Sequence, residues 1–257
     1  MGKGLLIQLP GVFTVNPGDP VLPKFYPNDS LLNEGSLFLF DAANPAGYPS
    51  QAANLVNGTT LFNLFTTSPN ATLNGTAVYS PTTGGLVLGS NSNIQLGNNY
   101  NLATLNNPGF LAIIWIKQLV AASAFTALLR RGTTTTTGNM QYLIDLGADG
   151  QSPRGYIGGA STSATISLGA HSLNAVHQLA IARQGNTVYG FRNGVQVYSG
   201  GFGDTYANPN VTQVTIGAGT MAGASIFRTY MENLNVSGKT SLAQVQADYV
   251  SNVGRFS

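Results

Sequence analysis

The chain has 257 residues, no cysteine, 32 glycines and 12 prolines, and only 8% of it is charged, for a formal net charge of +2. Its length fits one generous all-β domain, and the missing cysteines exclude disulfides, thiolate metal sites and a cysteine nucleophile. The scattered basic residues, adjacent only at Arg130-Arg131, leave no electrostatic footprint for nucleic acid.

Charged residues make up about a quarter of an ordinary globular chain. This surface must be wetted by Thr, Asn, Ser and Gln instead, which suits a protein held in a large assembly and equally a secreted glycan binder. The opening MGKGLLIQLPG carries one lysine and an apolar run of only Leu5 to Ile7. It fails as a signal peptide, and no stretch approaches a membrane span, so a chain made and assembled in a cytoplasm is expected. The Asn-x-Ser/Thr triplets at Asn28, Asn57, Asn70, Asn74, Asn210 and Asn235 read as a by-product of Asn and Thr richness.

Residues 1–33 hold Pro10, Pro17, Pro20, Pro23 and Pro27 without a helical period. Closely spaced prolines favour extended backbone, so this stretch is predicted to be an arm lying on its own domain or on a neighbour's. Residues 34–257 are expected to form one domain. Gly35 to Asp41 reads as a strand and Asn44 to Tyr48 as a turn. Leu61 to Phe65 and Ala77 to Tyr79 are strand fragments in a Thr/Asn-rich stretch, Gly84-Gly85 restarts the sheet, and Ile94 to Leu96 is another short strand. The near-continuous apolar run Phe110 to Ile116 predicts a central strand buried on both faces, with Trp115 in the core. Ala121 to Arg131 is ambiguous, with the composition of a helical turn. Tyr142 to Leu146 and Gly155 to Ile157 read as a strand pair around a loop holding Asp149-Gly150, and Ser163 to Leu168 as a further strand.

The best-determined stretch is Ala175 to Tyr198, AVHQLAIARQGNTVYGFRNGVQVY. Turns at Gln184-Gly185-Asn186 and Asn193-Gly194 cut it into three strands, and Asn-Gly supplies the two positive-φ positions of a type I′ hairpin. The implied register sets Arg192 opposite Val195, Gly190 opposite Val197 and Tyr189 opposite Tyr198. Both faces of this ribbon are apolar, so it belongs inside a sheet with layers above and below. Near the end, Ser241 and Gln244 form an S-x-x-Q capping box before Val245 and Tyr249 at helical spacing, predicting one short closing helix.

The run from His177 to Arg183, then Gln184-Gly185-Asn186-Thr187-Val188, then an aromatic-x-Asn-Gly-Val, resembles the signature hairpin of the concanavalin A-like lectin/glucanase superfamily in its laminin G-like form. Leu37 to Asp41, Gly85 to Leu88, Asn93 to Leu96, Phe110 to Lys117, Val214 to Gly217, Tyr230 to Val236 and the closing helix fall in the order of that family, over residues 35–252. The resemblance implies an all-β fold: a two-sheet antiparallel jelly-roll sandwich, concanavalin A-like, with an extended N-terminal arm and one short C-terminal helix. It also implies a strand over Phe125 to Arg130. Laminin G-like domains often hold a calcium ion at the sandwich rim through a carboxylate and carbonyls. The resemblance offers Asp145, Asp149 and Asp204 for it, although no motif here assigns one.

Glycoside cleavage needs two carboxyl groups about 5–9.5 Å apart. The nine carboxylates, Asp19, Asp29, Glu34, Asp41, Asp145, Asp149, Asp204, Glu232 and Asp248, show no strand constellation of the Glu-x-Asp-x-x-Glu type that the superfamily's glucanases carry. Asp145 and Asp149 are four apart, but the second sits in an Asp-Gly turn. His171 and His177, six apart without a third ligand, make neither a triad nor a transition-metal site, and His177 is read as packing. Gly158-Gly159 and Gly200-Gly201-x-Gly203 lack the lysine of a phosphate loop. No catalytic, cofactor-binding or metal residue is therefore assigned, no cofactor is expected, and the chain is read as not an enzyme.

The function expected from these features is a structural component of a bacteriophage particle, either a capsid decoration or a tail-associated protein. It would be assembled in the host cytoplasm, located in the virion and held by other virion proteins, with a homo-oligomer among the arrangements open to it. The alternative is a carbohydrate-binding module that recognises a host-surface glycan. Asn98 to Asn101 with Tyr100, and Asp204 to Asn210 with Tyr206, would then form the rim of its site.

Overall fold

The computed structural model describes residues 29–65, 67–97, 100–105, 109–119, 126–133, 138–146, 153–210, 213–218 and 224–256. Residues 1–28 of the expected arm, the Asp149-Gly150 turn, residues 121–125 and the threonine run 134–137 lie outside them.

Alternation of apolar and polar residues sets the strands. In chain order they are β1 (Ser36–Asp41), β2 (Asn54–Leu55), β3 (Thr60–Leu61), β4 (Ala71–Asn74), β5 (Ala77–Ser80), β6 (Gly85–Leu88), β7 (Asn93–Gly97), β8 (Phe110–Gln118) and β9 (Thr126–Gly132). There follow β10 (Met140–Leu146), β11 (Pro153–Gly158), β12 (Ser163–Ser167), β13 (Val176–Gln184), β14 (Thr187–Arg192), β15 (Val195–Gly201), β16 (Val214–Ala218) and β17 (Ala224–Asn233). Two helices close the chain: the single turn α1 (Leu234–Ser237), and α2 (Ser241–Asn252). Nine strands form one sheet in the order β15-β14-β13-β8-β17-β6-β5-β2, with β1 also on β17; eight form the other, β12-β11-β10-β9-β16-β7-β4-β3. Together they make an all-β antiparallel sandwich. Among the described residues no helix is long and apolar enough to cross a membrane.

β8 shows why two apolar layers are needed. Phe110, Ala112, Ile114 and Ile116 point between the sheets, where they meet Leu129, Ile144, Ile181 and Ile216. Leu111, Ile113 and Trp115 point the other way, into a second cluster with Phe227, Tyr230, Val245 and Phe256. Burying each such side chain contributes about 1.5–3 kcal/mol, and a strand apolar on both faces is stable only where both are covered.

The Asn193-Gly194 turn has φ values of 50° and 77°, as a type I′ hairpin requires. The register expected from it holds for two pairs, Arg192 with Val195 and Phe191 with Gln196, and then slips. Gly190 faces Tyr198 rather than Val197, and Tyr189 faces Ser199. Val197 is the extra residue of a β-bulge, which turns Tyr198 to the inner side of the sheet. A Cβ on Gly190 would lie 2.5 Å from Ile166 Cγ2 and 3.2 Å from Tyr198 Cβ, so the bare glycine makes room for β12 and the tyrosine together. The ribbon is also less enclosed than its composition suggests: β13 and β14 lie within the sheet, whereas β15 is its exposed edge.

Three further boundaries differ from expectation. The closing strand begins at Ala224, and Leu234 to Val236, expected to be extended, turn helical because Asn233 caps them and Gly238, at φ 66°, ends the turn. The cap of α2 is Thr240, whose hydroxyl accepts from the Ala243 amide. Ser241 lies inside the helix and donates its N–H and hydroxyl to Gln184, while Gln244 donates to Glu232. Thr126 to Gly132 is a strand, as the resemblance implied and composition did not.

Candidate functional site

The two sheets present very different outer faces. On the nine-stranded sheet the face is sealed by α2, by the C-terminal residues and by Leu31, Leu32, Leu64 and Phe65. At its centre Arg228 is buried and binds Asp248 at 2.8 Å, Asp29 at 2.8 Å and Asp41 at 3.1 Å. Burial alone would lower the Arg228 pKa, but Asp248, Asp29 and Asp41 outweigh it and hold the guanidinium well above its usual range. Asp248 also accepts from Trp115 Nε1 at 2.6 Å and from Gln178 at 2.8 Å. Gln178 in turn accepts from the Gly194 amide at 2.9 Å, so the hairpin turn is tied to α2. Each of these carboxylates is ion-paired, and Asp248 is further hydrogen-bonded within the chain, so the cluster ties α2 and the segment around Asp29 to the sheet.

The loops expected to form a sugar-binding rim do meet. Asn101 Nδ2 donates to Asn208 Oδ1 at 2.8 Å, and Gln141 Nε2 donates to Asn101 Oδ1 and to the Ala207 carbonyl, both at 2.7 Å. Their aromatic rings, however, face inward. Tyr100 is buried in the core, edge-on to Phe38, and burial pushes its hydroxyl up to about 12. Tyr206 is buried with the Arg183 guanidinium 4.7 Å from its ring centre, and desolvation raises its pKa as well. Asn98 and Asn99 lie outside the described residues. This rim offers no aromatic platform, and its central amides serve the loops themselves.

Two of the carboxylates offered for a rim calcium, Asp145 and Asp204, are engaged by groups of the chain itself. Asp145 is buried and held by Arg154, with Nε at 2.9 Å from Oδ1 and Nη2 at 2.9 Å from Oδ2. Asp204 Oδ2 accepts from the Ser161 and Thr162 amides, both at 2.7 Å, and those hydrogen bonds lower its pKa. Asp149 lies outside the described residues, among which no three His, Asp or Glu side chains form a metal cluster. His171 and His177 meet edge-on at 5.4 Å. His177 Nε2 lies 3.1 Å from the Ser172 carbonyl and Nδ1 3.3 Å from Asn193 Nδ2, and burial lowers its pKa. Both rings therefore brace the segment leading into the hairpin.

The outer face of the eight-stranded sheet is built differently. In Ala71-Thr72-Leu73, Ile94-Gln95-Leu96 and Val214-Thr215-Ile216 the flanking residues enter the core, so strand alternation turns the middle one outward. Register then aligns these outward residues. Thr60 pairs with Thr72, Thr72 with Gln95, Gln95 with Thr215, and Thr215 with Arg130. Arg130 pairs with Leu143, Leu143 with Tyr156, and Tyr156 with Thr165. One transverse row thus crosses all eight strands, about 34 Å long at about 4.8 Å per strand. Toward one end lies a cavity of about 180 Å³ lined by Leu143, Arg154, Tyr156, Ser163 and Thr165. Toward the other lies one of about 370 Å³ lined by Asn70, Thr72, Gln95 and Gln213.

The row also carries unmet hydrogen-bonding capacity. The Tyr156 hydroxyl and Thr215 Oγ1 are buried atoms without a partner among the described residues, a costly state in a folded chain. Arg130, half-buried, makes no ion pair among the described residues. Sequence reasoning missed this row. The apolar-polar-apolar triplets that compose it are visible in the chain, but their alignment depends on pairings between strands distant in sequence.

No protein-family model matches the chain, and no curated protein matches it. Solved structures do. The chain resembles a Trypanosoma rangeli sialidase in complex with sialic acid at 13% identity and a TM-score of 0.59, covering 92% of this chain and 36% of that one. It resembles the binding domain of botulinum neurotoxin DC in complex with SialylT at 12% identity and a TM-score of 0.54, covering 78% of this chain and 52% of that one. The chain thus spans about a third of the sialidases and half of the toxin chain. These neighbours correct the reading of the chain as not an enzyme, because the fold stands within chains named as sialidases. Asp29, Asp41 and Asp248, distant in the sequence, do meet in space at Arg228. At these identities the likeness establishes the fold, an antiparallel β-sandwich carried by longer chains.

Proposed function

We propose that the chain binds carbohydrate along the row that crosses the eight-stranded sheet. The observation that carries this reading is the row itself: aligned hydroxyl, amide and guanidinium groups, some without partners among the described residues, on a face over which no described helix packs. A saccharide offers many hydroxyls at short intervals, and a strip of donors and acceptors beside small apolar patches is the complementary surface. Leu143 and Tyr156, which line the 180 Å³ cavity, contribute the apolar part of that surface. The reading is supported by neighbours described in complex with sialic acid and with SialylT, and by the resemblance of the Ala175 to Tyr198 hairpin to the concanavalin A-like, laminin G-like superfamily. A glycan displayed on a host surface is the partner it favours. The expectation of a virion component finds no counterpart among these neighbours.

The test is a titration of the full chain against a panel of soluble oligosaccharides, repeated with a Gln95→Ala, Tyr156→Ala double variant. Losing two sets of hydrogen bonds should weaken binding about tenfold or more. Retention of full affinity by the double variant, or no binding of any panel member at millimolar concentration, would retire the proposal.

A further inference from the structure

Resting on that reading, we infer that the centre of the row recognises a carboxylate, so that the preferred ligand is a saccharide containing an acidic sugar flanked by neutral ones. Of the eight row residues, Thr60, Thr72, Gln95, Thr215, Leu143 and Thr165 are uncharged, Tyr156 is a phenol, and Arg130 alone is a cation. Among the described residues, Arg154 and Asp145, outward on the neighbouring strands, are bound to each other through paired contacts of 2.9 Å. Arg130 is left as the one cation of the row, and a half-buried guanidinium without an ion pair among the described residues fits a bidentate carboxylate.

Its neighbours agree with that assignment. On one side stands Thr215, whose buried Oγ1 has no partner among the described residues. On the other stands Leu143, and beyond it Tyr156, 6% exposed, whose hydroxyl is likewise without a partner and which lines the 180 Å³ cavity. The arrangement offers a carboxylate the half-buried Arg130 cation, with the cavity lined by Leu143 and Tyr156 beside it. Arg130 lies on the fourth strand from one edge of the sheet and the fifth from the other. Neutral hydrogen-bonding residues extend from it in both directions, so the acidic unit would lie within a chain rather than cap its end.

The experiment compares matched pairs in equilibrium titrations of the full chain: a hyaluronan oligosaccharide, in which acidic and neutral sugars alternate, against its carboxyl-reduced counterpart, and an oligogalacturonide against its carboxyl-reduced counterpart. The acidic member of a pair should bind about ten- to a hundredfold more tightly at low salt, the range of a charge-assisted hydrogen-bonded pair, and the preference should shrink as salt rises. Arg130→Gln should abolish the preference, so that the acidic and neutral members of a pair bind alike. Arg130→Lys, a point charge without the planar fork, should keep part of it. Thermal melting of each variant shows whether the fold is intact. Equal binding of acidic and neutral members, or a preference that survives Arg130→Gln, overturns the inference and leaves carbohydrate binding standing. Absence of binding to either member of both pairs counts against both.

Discussion

The two outer faces obey the same alternation rule and come to opposite ends. On the nine-stranded sheet the outward residues are Leu111, Ile113, Trp115, Phe227 and Tyr230, with Arg228 and its three carboxylates, and the chain spends α2 and residues 29–33 covering them. On the eight-stranded sheet the outward residues are Thr72, Gln95, Thr215, Arg130 and Tyr156, and no described helix packs on them. Groups that complete their hydrogen bonds within the chain hold a fold together. Groups left with unmet capacity are positioned for something else. Substitutions on the first face should therefore move stability, and substitutions on the second should move binding.

The largest expected effect is Arg228→Met. It leaves Asp248 without its cation and Asp41 with only Arg255, and breaking a buried ion cluster from one side costs about 3–5 kcal/mol. Denaturant unfolding would show it as a lower midpoint, and a loss under 1 kcal/mol would mean the cluster is hydrated rather than sealed. Gly190→Ala comes next, because its Cβ would meet Ile166 at 2.5 Å. Overpacking of this kind costs about 1–3 kcal/mol, and an unchanged midpoint would contradict the bulged register.

Tyr156→Phe sharpens the contrast by reversing the sign. Removing a buried hydroxyl that lacks a partner should leave the free protein as stable or more stable, by up to about 1 kcal/mol, while weakening saccharide binding. A drop in stability would show that the hydroxyl already serves the fold. The smallest effect concerns His177. Burial lowers its pKa below 6.5, so the unfolded chain binds the proton more readily. Stability should be fully present above pH 6.5 and fall as the pH drops toward the folded-state pKa. His177→Gln should flatten that part of the stability-versus-pH curve; a slope unchanged in the variant would assign it to another group.

How much of this was legible in the chain follows from what each feature depends on. β8 announces itself, because Phe110 to Ile116 needs only its own composition to demand cover on both faces. The Asn193-Gly194 turn is equally local. The register beyond it was not legible, since the bulge at Val197 answers a tertiary demand, the fit of Ile166 against Gly190. The α2 cap was misplaced by one residue because Ser241 satisfies the sequence rule but is engaged by Gln184 from another element. For the site, the expected rim loops do touch through Asn101 and Asn208, yet Tyr100 and Tyr206 turn inward. The row from Thr60 to Thr165 could not be read at all without eight strands in register.

The most direct test of the account is a nuclear magnetic resonance titration of the labelled chain with the tightest-binding oligosaccharide. The account predicts that the largest shifts fall on Gln95, Thr215, Arg130, Leu143 and Tyr156, while α2 and the residues around Arg228 stay unmoved. Shifts concentrated on Asp204 to Asn210 or on α2, with the row silent, would contradict it.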